Sequence, residues 1–307
     1  MSASTVKFVI PCVLLVAAIV AAPNKEKLPD GAVEKIAAAA PAKPCAKPKK
    51  ARKLLIFSVT NGFRHKSIST GKVALRGMGQ KTGAYETVIS DDLASFEPGT
   101  IDQFDAICFL STTQDVFMPH KNQLKDMSEE EKKEAQERSE RLRGSLQNFV
   151  KGGKGFIGIH AATDTFYSWA EYGRMIGGYF SGHPWGAGTD VSIKVEPGQE
   201  KHPLVAMFEG QNVEFKEEIY QLKDPYDSSK VHMLLRLDTE RSNMDVKGIK
   251  RTDNDFGVAW ARHWGEGRVF YCSLGHNDHI YWNEKVLRHY LAGIQWAMGD
   301  LEAEVNK

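Results

Sequence analysis

Cysteine is scarce: only four occur in 307 residues, and none forms a CxxC pair. Cys12 lies in the N-terminal apolar run and Cys45 in a Lys/Pro-rich stretch. Cys108 and Cys272 sit inside apolar strand-like runs, where a thiol is ordinarily a small buried hydrophobe. This pattern excludes a disulfide framework and a thiolate metal site; a Cys108–Cys272 bridge is compatible with the spacing, but the fold does not need one. A basic stripe is also missing. Lys plus Arg number 40 against 39 for Asp plus Glu, and no basic run is interleaved with aromatics, so nucleic acid is not an expected partner. Gly71, Gly77 and Gly79 fall within a helical stretch, which leaves no glycine-rich phosphate loop and argues against a nucleotide cofactor. No HExxH signature is present. The longest apolar run, Phe8 to Val20, is shorter than the ~20 residues a membrane helix needs.

That run follows Lys7 and precedes Ala21 and Ala22, the parts of a secretory signal over residues 1–22. The expected location is therefore exported, periplasmic or extracellular, with membrane contact only through an uncleaved signal, an option that Pro23 keeps open. Cys12 follows Ile10 and Pro11 rather than small residues, so lipidation is not expected. Residues 23–52 are dominated by Ala, Lys and Pro with no aromatic to pack, and read as a disordered linker. Residues 53–307 are long enough for one large α/β domain.

Continuous apolar runs at Lys53 to Thr60, Phe104 to Thr112 and Gly155 to His160 suit strands buried on both faces of a parallel sheet. Tyr85 to Ser90 is rich in β-formers. Ser67 is placed to cap one helix, and Ser128 with Glu131 forms a capping box ahead of Leu142, Leu146, Phe149 and Val150 at helical spacing. The stretch from Gln114 to Lys125 reads as a loop. Strand, helix, strand, strand, helix, strand predicts a doubly wound, mainly parallel sheet. Beyond Gly177 strands arrive without intervening helices, and Gly265-Glu266-Gly267 marks a hairpin. These predict antiparallel C-terminal additions that extend the sheet or wall its mouth, before a closing helix from about Asn283.

Ligands of doubly wound sheets bind beyond the carboxyl ends of the strands. Polar groups gather there: Asn61, Arg64 and His65 after the first strand, His160, Asp164 and Tyr167 after the fourth, and His276 after RVFYCSL. One such histidine is commonly structural, whereas three at strand ends point to a site.

The motifs TNGFRH (Thr60 to His65), GKGFIGIHAATDTFYSW (Gly153 to Trp169), YGRMIGGYFSGHPW (Tyr172 to Trp185), EEIYQL (Glu217 to Leu222) and GVAWARHWGEGRVFYCSLGHNDHIYW (Gly257 to Trp282) together resemble a ThuA-like, trehalose-utilisation domain. The resemblance runs from about Leu54 to Trp296. It implies a flavodoxin-like, class I glutamine amidotransferase-like fold and a role in carbohydrate metabolism. One departure bears on mechanism. Where an amidotransferase carries its nucleophilic cysteine on a strained elbow, this chain reads Gly158-Ile159-His160-Ala161-Ala162, so Cys-dependent acyl transfer is not expected.

The expected chemistry is instead proton transfer by His160, His276 and Glu218, with Glu217 taken as the solvated member of its pair. Asn61, Arg64, His65, Asp164 and His183 are the expected hydroxyl partners, and Tyr167, Trp185 and Trp282 the expected stacking platforms for a small carbohydrate. A divalent metal such as zinc on His160, His183 and His276 with a carboxylate is a second expectation. The reading is a sugar isomerase, lyase or hydrolase acting on a disaccharide, keto-sugar or related glycoside, with a non-catalytic sugar-binding or scaffold domain as its rival. A homo-oligomer is compatible with the sequence.

Overall fold

Strand β1 (Lys53–Phe57) shows why the central runs are apolar throughout: Leu54 and Ile56 pack on one face, Leu55 and Phe57 on the other, and all four are buried. The same alternation recurs in the strands beside it, so the sheet lies between two apolar layers. The computed structural model describes residues 27–306. The signal-like run at residues 1–22 lies outside the described residues.

In chain order the elements are α1 (Ala32–Ala39), β1, α2 (Ile68–Thr82), β2 (Glu86–Ile89), β3 (Ala106–Leu110), α3 (Lys121–Asp126), α4 (Glu129–Lys151), β4 (Gly155–Ile159) and α5 (Ala170–Ile176). There follow β5 (Tyr179–Phe180), β6 (Asp190–Val195), β7 (Val213–Lys216), β8 (Leu222–Lys223), β9 (His232–Leu237), β10 (Gly257–Trp264), β11 (Gly267–Cys272) and α6 (Glu284–Ala297). Nine strands form one sheet in the order β2-β1-β3-β4-β11-β10-β9-β6-β7. The first five run parallel, and the last four continue the sheet antiparallel. This is the flavodoxin-like, doubly wound arrangement with antiparallel additions. Helices α2 and α6 cover one face, α4 and α5 the other. Among the described residues no helix is long and apolar enough to cross a membrane.

Several local expectations meet their partners. Ser128 and Glu131 form a reciprocal capping box at α4, and Asn283 caps α6 through Val286 N–H. The Gln114 to Lys125 stretch is not wholly a loop, because α3 occupies its end with His120 as the cap. Ser67 precedes α2, but its hydroxyl makes no cap; it donates instead to the Gly275 carbonyl at 2.7 Å. Cys108 and Cys272 are free and buried, and burial pushes the Cys272 thiol up to about 12.

The linker expectation fails from Lys27 onward. Helix α1 buries Ala32, Ile36, Ala39 and Ala40, and packs on α2 and on the short 3₁₀ turn Asp278–Trp282. Lys81 Nζ donates to the carbonyls of Ala37 and Ala40, at 2.7 and 2.6 Å, which satisfies carbonyls at the helix end. The strand of chain that follows is tied to the far end of the sequence. Gln295 Oε1 accepts from the backbone N–H groups of Cys45 and Ala46, and Gln295 Nε2 donates to the Ala46 carbonyl. Arg52 pairs with the buried Asp300 at 2.6 Å. Composition alone describes an Ala/Lys/Pro tract as solvated; the apolar stripe becomes useful only because a groove some 240 residues later in sequence is there to receive it.

Two consequences can be measured. Ile36→Ala empties a fully packed position and should cost ~2–4 kcal/mol in urea unfolding, where a true linker would lose nothing. His289, buried on α6 with its Nδ1 2.6 Å from the Leu204 carbonyl, is pulled down to about 4 by burial. The unfolded chain therefore binds the extra proton between about 6.5 and 4, so stability falls as pH falls through that window. His289→Gln should flatten this slope of melting temperature against pH relative to the parent; parallel slopes would show that His289 does not contribute.

Candidate active site

The carboxyl ends of β1, β4 and β11 lie close together because only β3 separates β1 from β4 and none separates β4 from β11. His65, His160 and His276 follow these three strands, and their ring centroids stand 4.6 Å (His65–His160), 5.0 Å (His65–His276) and 5.4 Å (His160–His276) apart. His120 and His232 lie elsewhere. His120 Nδ1 accepts the Asn122 N–H, and His232 bonds Gln199 Oε1 at 3.0 Å.

His160 occupies the elbow itself. Its backbone takes φ 52° where β4 turns into the 3₁₀ segment His160–Asp164, a left-handed conformation that costs a non-glycine residue ~1–2 kcal/mol. Its ring is fully buried and oriented by a 2.6 Å contact from Nδ1 to the Ser273 carbonyl. A carbonyl can only accept, so Nδ1 carries the hydrogen and the neutral ring keeps a lone pair on Nε2. That Nε2 faces His65 Nε2 at 3.1 Å and the Tyr220 hydroxyl at 2.9 Å. Burial, followed by the neighbouring His65 ring, holds His160 well below the usual imidazole range. His65 is lowered to about 4, again first by burial and then by His276.

Glu218 closes the cluster from the antiparallel side. Its Oε1 lies 3.2 Å from His276 Nδ1 and 3.6 Å from His160 Nε2, and its Oε2 lies 3.5 Å from His183 Nδ1. Burial pulls His276 down, but Glu218 more than offsets it and leaves that imidazole raised. The His276–Glu218 contact has ion-pair distance without the alignment of a hydrogen bond at Nδ1.

Glu217 does something different from what its sequence position suggests. It is not solvated. Fully buried, it accepts the backbone N–H groups of Gly275, His276 and Asn277, with Oε1 at 3.0 and 2.6 Å from the first two and Oε2 at 3.1 Å from the third. Burial raises its carboxyl to about 7 against these donors, which favour the ionised form. Gly275 lets the turn close: at φ 137° a Cβ would sit 2.8 Å from Tyr281 Oη and 3.1 Å from His160 Cβ.

The other expected site residues divide. His183 is half-exposed on the rim beside Glu218. Asp164 accepts from the Tyr167 hydroxyl at 2.5 Å, and Tyr167 also reaches the Phe180 carbonyl at 3.2 Å; burial raises Asp164 despite the tyrosine bond. Phe180 in turn packs on Tyr220 and His183, which places the pair along one wall of the cluster. Asn61 does not face the cluster: its amide donates to the Asp115 and Met118 carbonyls and borders a separate cleft of about 520 Å³. Arg64 is exposed and donates to the Ser58 carbonyl. Trp185 is a core residue, fully buried against Phe256 with Nε1 on the Asn243 carbonyl. Trp282 is partly covered by α1, with Lys35 Nζ 5.0 Å from its ring. Neither tryptophan is a platform at the cluster, because large rings just past strand ends also serve to close the adjacent core.

Three contributors escaped the sequence reading. Tyr220 bonds His160, and the only signal for it was its place directly after the paired glutamates. Ser273 orients His160 through a carbonyl, which no side chain announces. Phe63 is the one exposed large hydrophobic among the described residues, 64% exposed, 4.7 Å from His65 and nearly parallel to the His276 ring at 15°.

Comparisons with known proteins agree with this architecture. A family model described as ThuA, trehalose utilisation, matches residues 53–297. No curated protein matches the chain in sequence. Among solved structures the chain is similar to a ThuA-like protein from Bacteroides uniformis, at 18% identity over 82% of this chain and 94% of that one, with a TM-score of 0.59. It is likewise similar to a ThuA-like protein from Parabacteroides merdae, at 16% identity over 84% and 94%, with a TM-score of 0.55. At such identities the two structures speak for the fold.

The Glu217 clasp predicts a local effect. Glu217→Gln replaces one acceptor oxygen by a donor facing other donors, and should cost ~2–3 kcal/mol while speeding hydrogen exchange at the amides of residues 275–277. Unchanged exchange at those amides would mean that the carboxylate does not hold the turn.

Proposed function

We propose that this chain, which belongs to the ThuA, trehalose-utilisation family, is an enzyme that moves a proton on a disaccharide, keto-sugar or related glycoside. One observation carries the reading. Glu218 is a buried carboxylate with an imidazole on each oxygen, His276 on Oε1 and His183 on Oε2, and both rings border the open side of the cluster. A carboxylate between two imidazoles can hold or pass a proton at either nitrogen, which suits isomerisation or elimination next to a carbonyl. A binding module has no need of that arrangement.

The rim fits the apolar face of a sugar ring. Phe63 projects into solvent above His65 and His276, where stacking on a pyranose would cover both partners. His160 takes a different part from the one its sequence position suggested. Its ring is fully buried with both nitrogens engaged, so it positions its neighbours rather than meeting substrate first. Hydrolysis by paired carboxylates has less support, since Glu217 is committed to backbone amides and Asp164 to Tyr167. Cys-dependent acyl transfer has none: Cys108 and Cys272 are buried in strands with their thiols pushed up by burial. The leader-like residues 1–22 would carry this activity out of the cytosol.

The test is a panel of disaccharides and their keto derivatives, scored by thermal shift and by product formation. Glu218→Gln, His276→Gln and His183→Gln should each keep the fold while lowering turnover ~10²–10⁴-fold. Phe63→Ala should mainly raise KM, and Phe63→Tyr should restore it. If sugars shift the melting temperature but no product forms with any of them, the chain is a binding domain. Parent-like turnover in all three polar variants would move the chemistry elsewhere.

A further inference from the structure

We propose that His65, His160, His276 and Glu218 are the four protein ligands of a divalent transition-metal ion of the zinc class. The ligand atoms of these residues all lie within 4.8 Å of one another, and no other group of three or more His, Cys, Asp or Glu does so among the described residues. Three of the separations, 3.1 Å between His65 Nε2 and His160 Nε2, 3.2 Å between His276 Nδ1 and Glu218 Oε1, and 3.6 Å between His160 Nε2 and Glu218 Oε1, bracket the edge of about 3.3 Å in a tetrahedron with ~2.0 Å bonds. The set differs from the sequence expectation of His160, His183, His276 and an unnamed carboxylate: His65 stands in place of His183, and the carboxylate is Glu218. His183 is half-exposed and meets only the outer oxygen of Glu218.

Two further observations point to a cation. The first is the orientation of His160: Nδ1–H on the Ser273 carbonyl leaves the Nε2 lone pair turned into the cluster, the arrangement a metal-bound histidine takes when its other nitrogen is held by a carbonyl. That lone pair faces the Tyr220 hydroxyl at 2.9 Å and a second imidazole nitrogen at 3.1 Å, and an ion bound between the two rings would take the place of the Tyr220 proton. The second is the charge of Glu218. Its side chain is 7% exposed, and its ion-pair partners among the described residues are histidines only, with no Lys or Arg. A buried carboxylate whose ion-pair neighbours are all imidazoles offers an anionic oxygen beside nitrogen donors, the ligand types a zinc-class ion takes. Three imidazoles with one carboxylate favour zinc or a neighbouring divalent ion over magnesium or calcium, which take oxygen ligands.

The inference rests on geometry for the existence of the ion and on the proposed sugar chemistry for its use. Bound there, the ion would polarise a carbonyl oxygen or a water. His276 and Glu218 Oε1 would then hold the ion, and the proton of the proposed reaction would move between Glu218 Oε2 and His183 at the rim.

The test uses the untagged chain, stripped with a chelator and reloaded with zinc, manganese or cobalt one at a time, without any sugar. About one equivalent per chain by elemental analysis, a raised melting temperature, and for cobalt the visible bands of a low-coordinate nitrogen and oxygen site are expected. His65→Ala and the isosteric Glu218→Gln should each weaken binding by more than about 100-fold, beyond the loss typical of an outer partner. His232→Gln, outside the cluster, should bind like the parent. No bound metal and no thermal shift with any of the three ions would overturn the proposal, as would equal binding in all variants. Sugar turnover that survives stripping defeats the ion and leaves the sugar reading standing; metal bound at the site without turnover of any sugar does the reverse.

Discussion

The candidate site depends on one buried carboxylate, Glu217, that is spent on backbone amides. After β11 the chain turns back on itself, and the amides of Gly275, His276 and Asn277 point inward at the buried Glu217 carboxyl. Buried backbone donors must find acceptors, and here Glu217 supplies both oxygens from a segment nearly sixty residues away. The clasp joins the parallel core to the antiparallel extension. Asn277 reinforces it by donating to the Ala187 and Lys216 carbonyls, and Ser67 by donating to Gly275 O. With Glu217 turned toward the turn, the next residue, Glu218, is delivered to His276 and His183. Adjacent carboxylates thus take two roles, one holding the backbone that presents an imidazole and the other facing that imidazole.

The elbow after β4 is the second constraint. A strand that ends in a left-handed residue throws its side chain out over the sheet edge. Here it carries an imidazole. Strain is retained, with φ 52° at His160, but the ring is locked by Ser273 below and by His65 and Tyr220 above. Cys108 and Cys272 point into the apolar layer.

The segment from Lys27 to Arg52 acts on the opposite side of the same architecture. Helix α1 covers α2 and the turn Asp278–Trp282, and α2 begins just after His65 while that turn follows His276. Two of the three site-bearing loops are therefore backed by a segment whose composition resembles a spacer. Its hold is distributed: a four-residue apolar stripe, the Gln295 amide and the Arg52–Asp300 pair.

Much of this was legible in the residues. Runs such as LLIF and AICFL are apolar at every position because both sheet faces are covered, and that pattern, with the intervening helices, already implies a parallel doubly wound core. Histidines directly after such runs imply a site at the carboxyl edge, and His65, His160 and His276 meet there. What the chain could not disclose are contacts between segments far apart in sequence, and contacts made by backbone. Trp185 and Trp282 have the same local signature as a sugar platform, yet one fills the core and the other lies under α1, because burial of a ring is decided by what packs on it. Phe63, unremarkable in sequence, is the ring left exposed. Glu217 and Glu218 are indistinguishable neighbours until the turn after β11 claims one of them. The sequence by itself determined the strands, their faces and the edge at which polar groups collect, since these follow from local periodicity; only the tertiary structure decided which of those groups share one centre, since that follows from strand order and from where unpaired amides find a carboxylate.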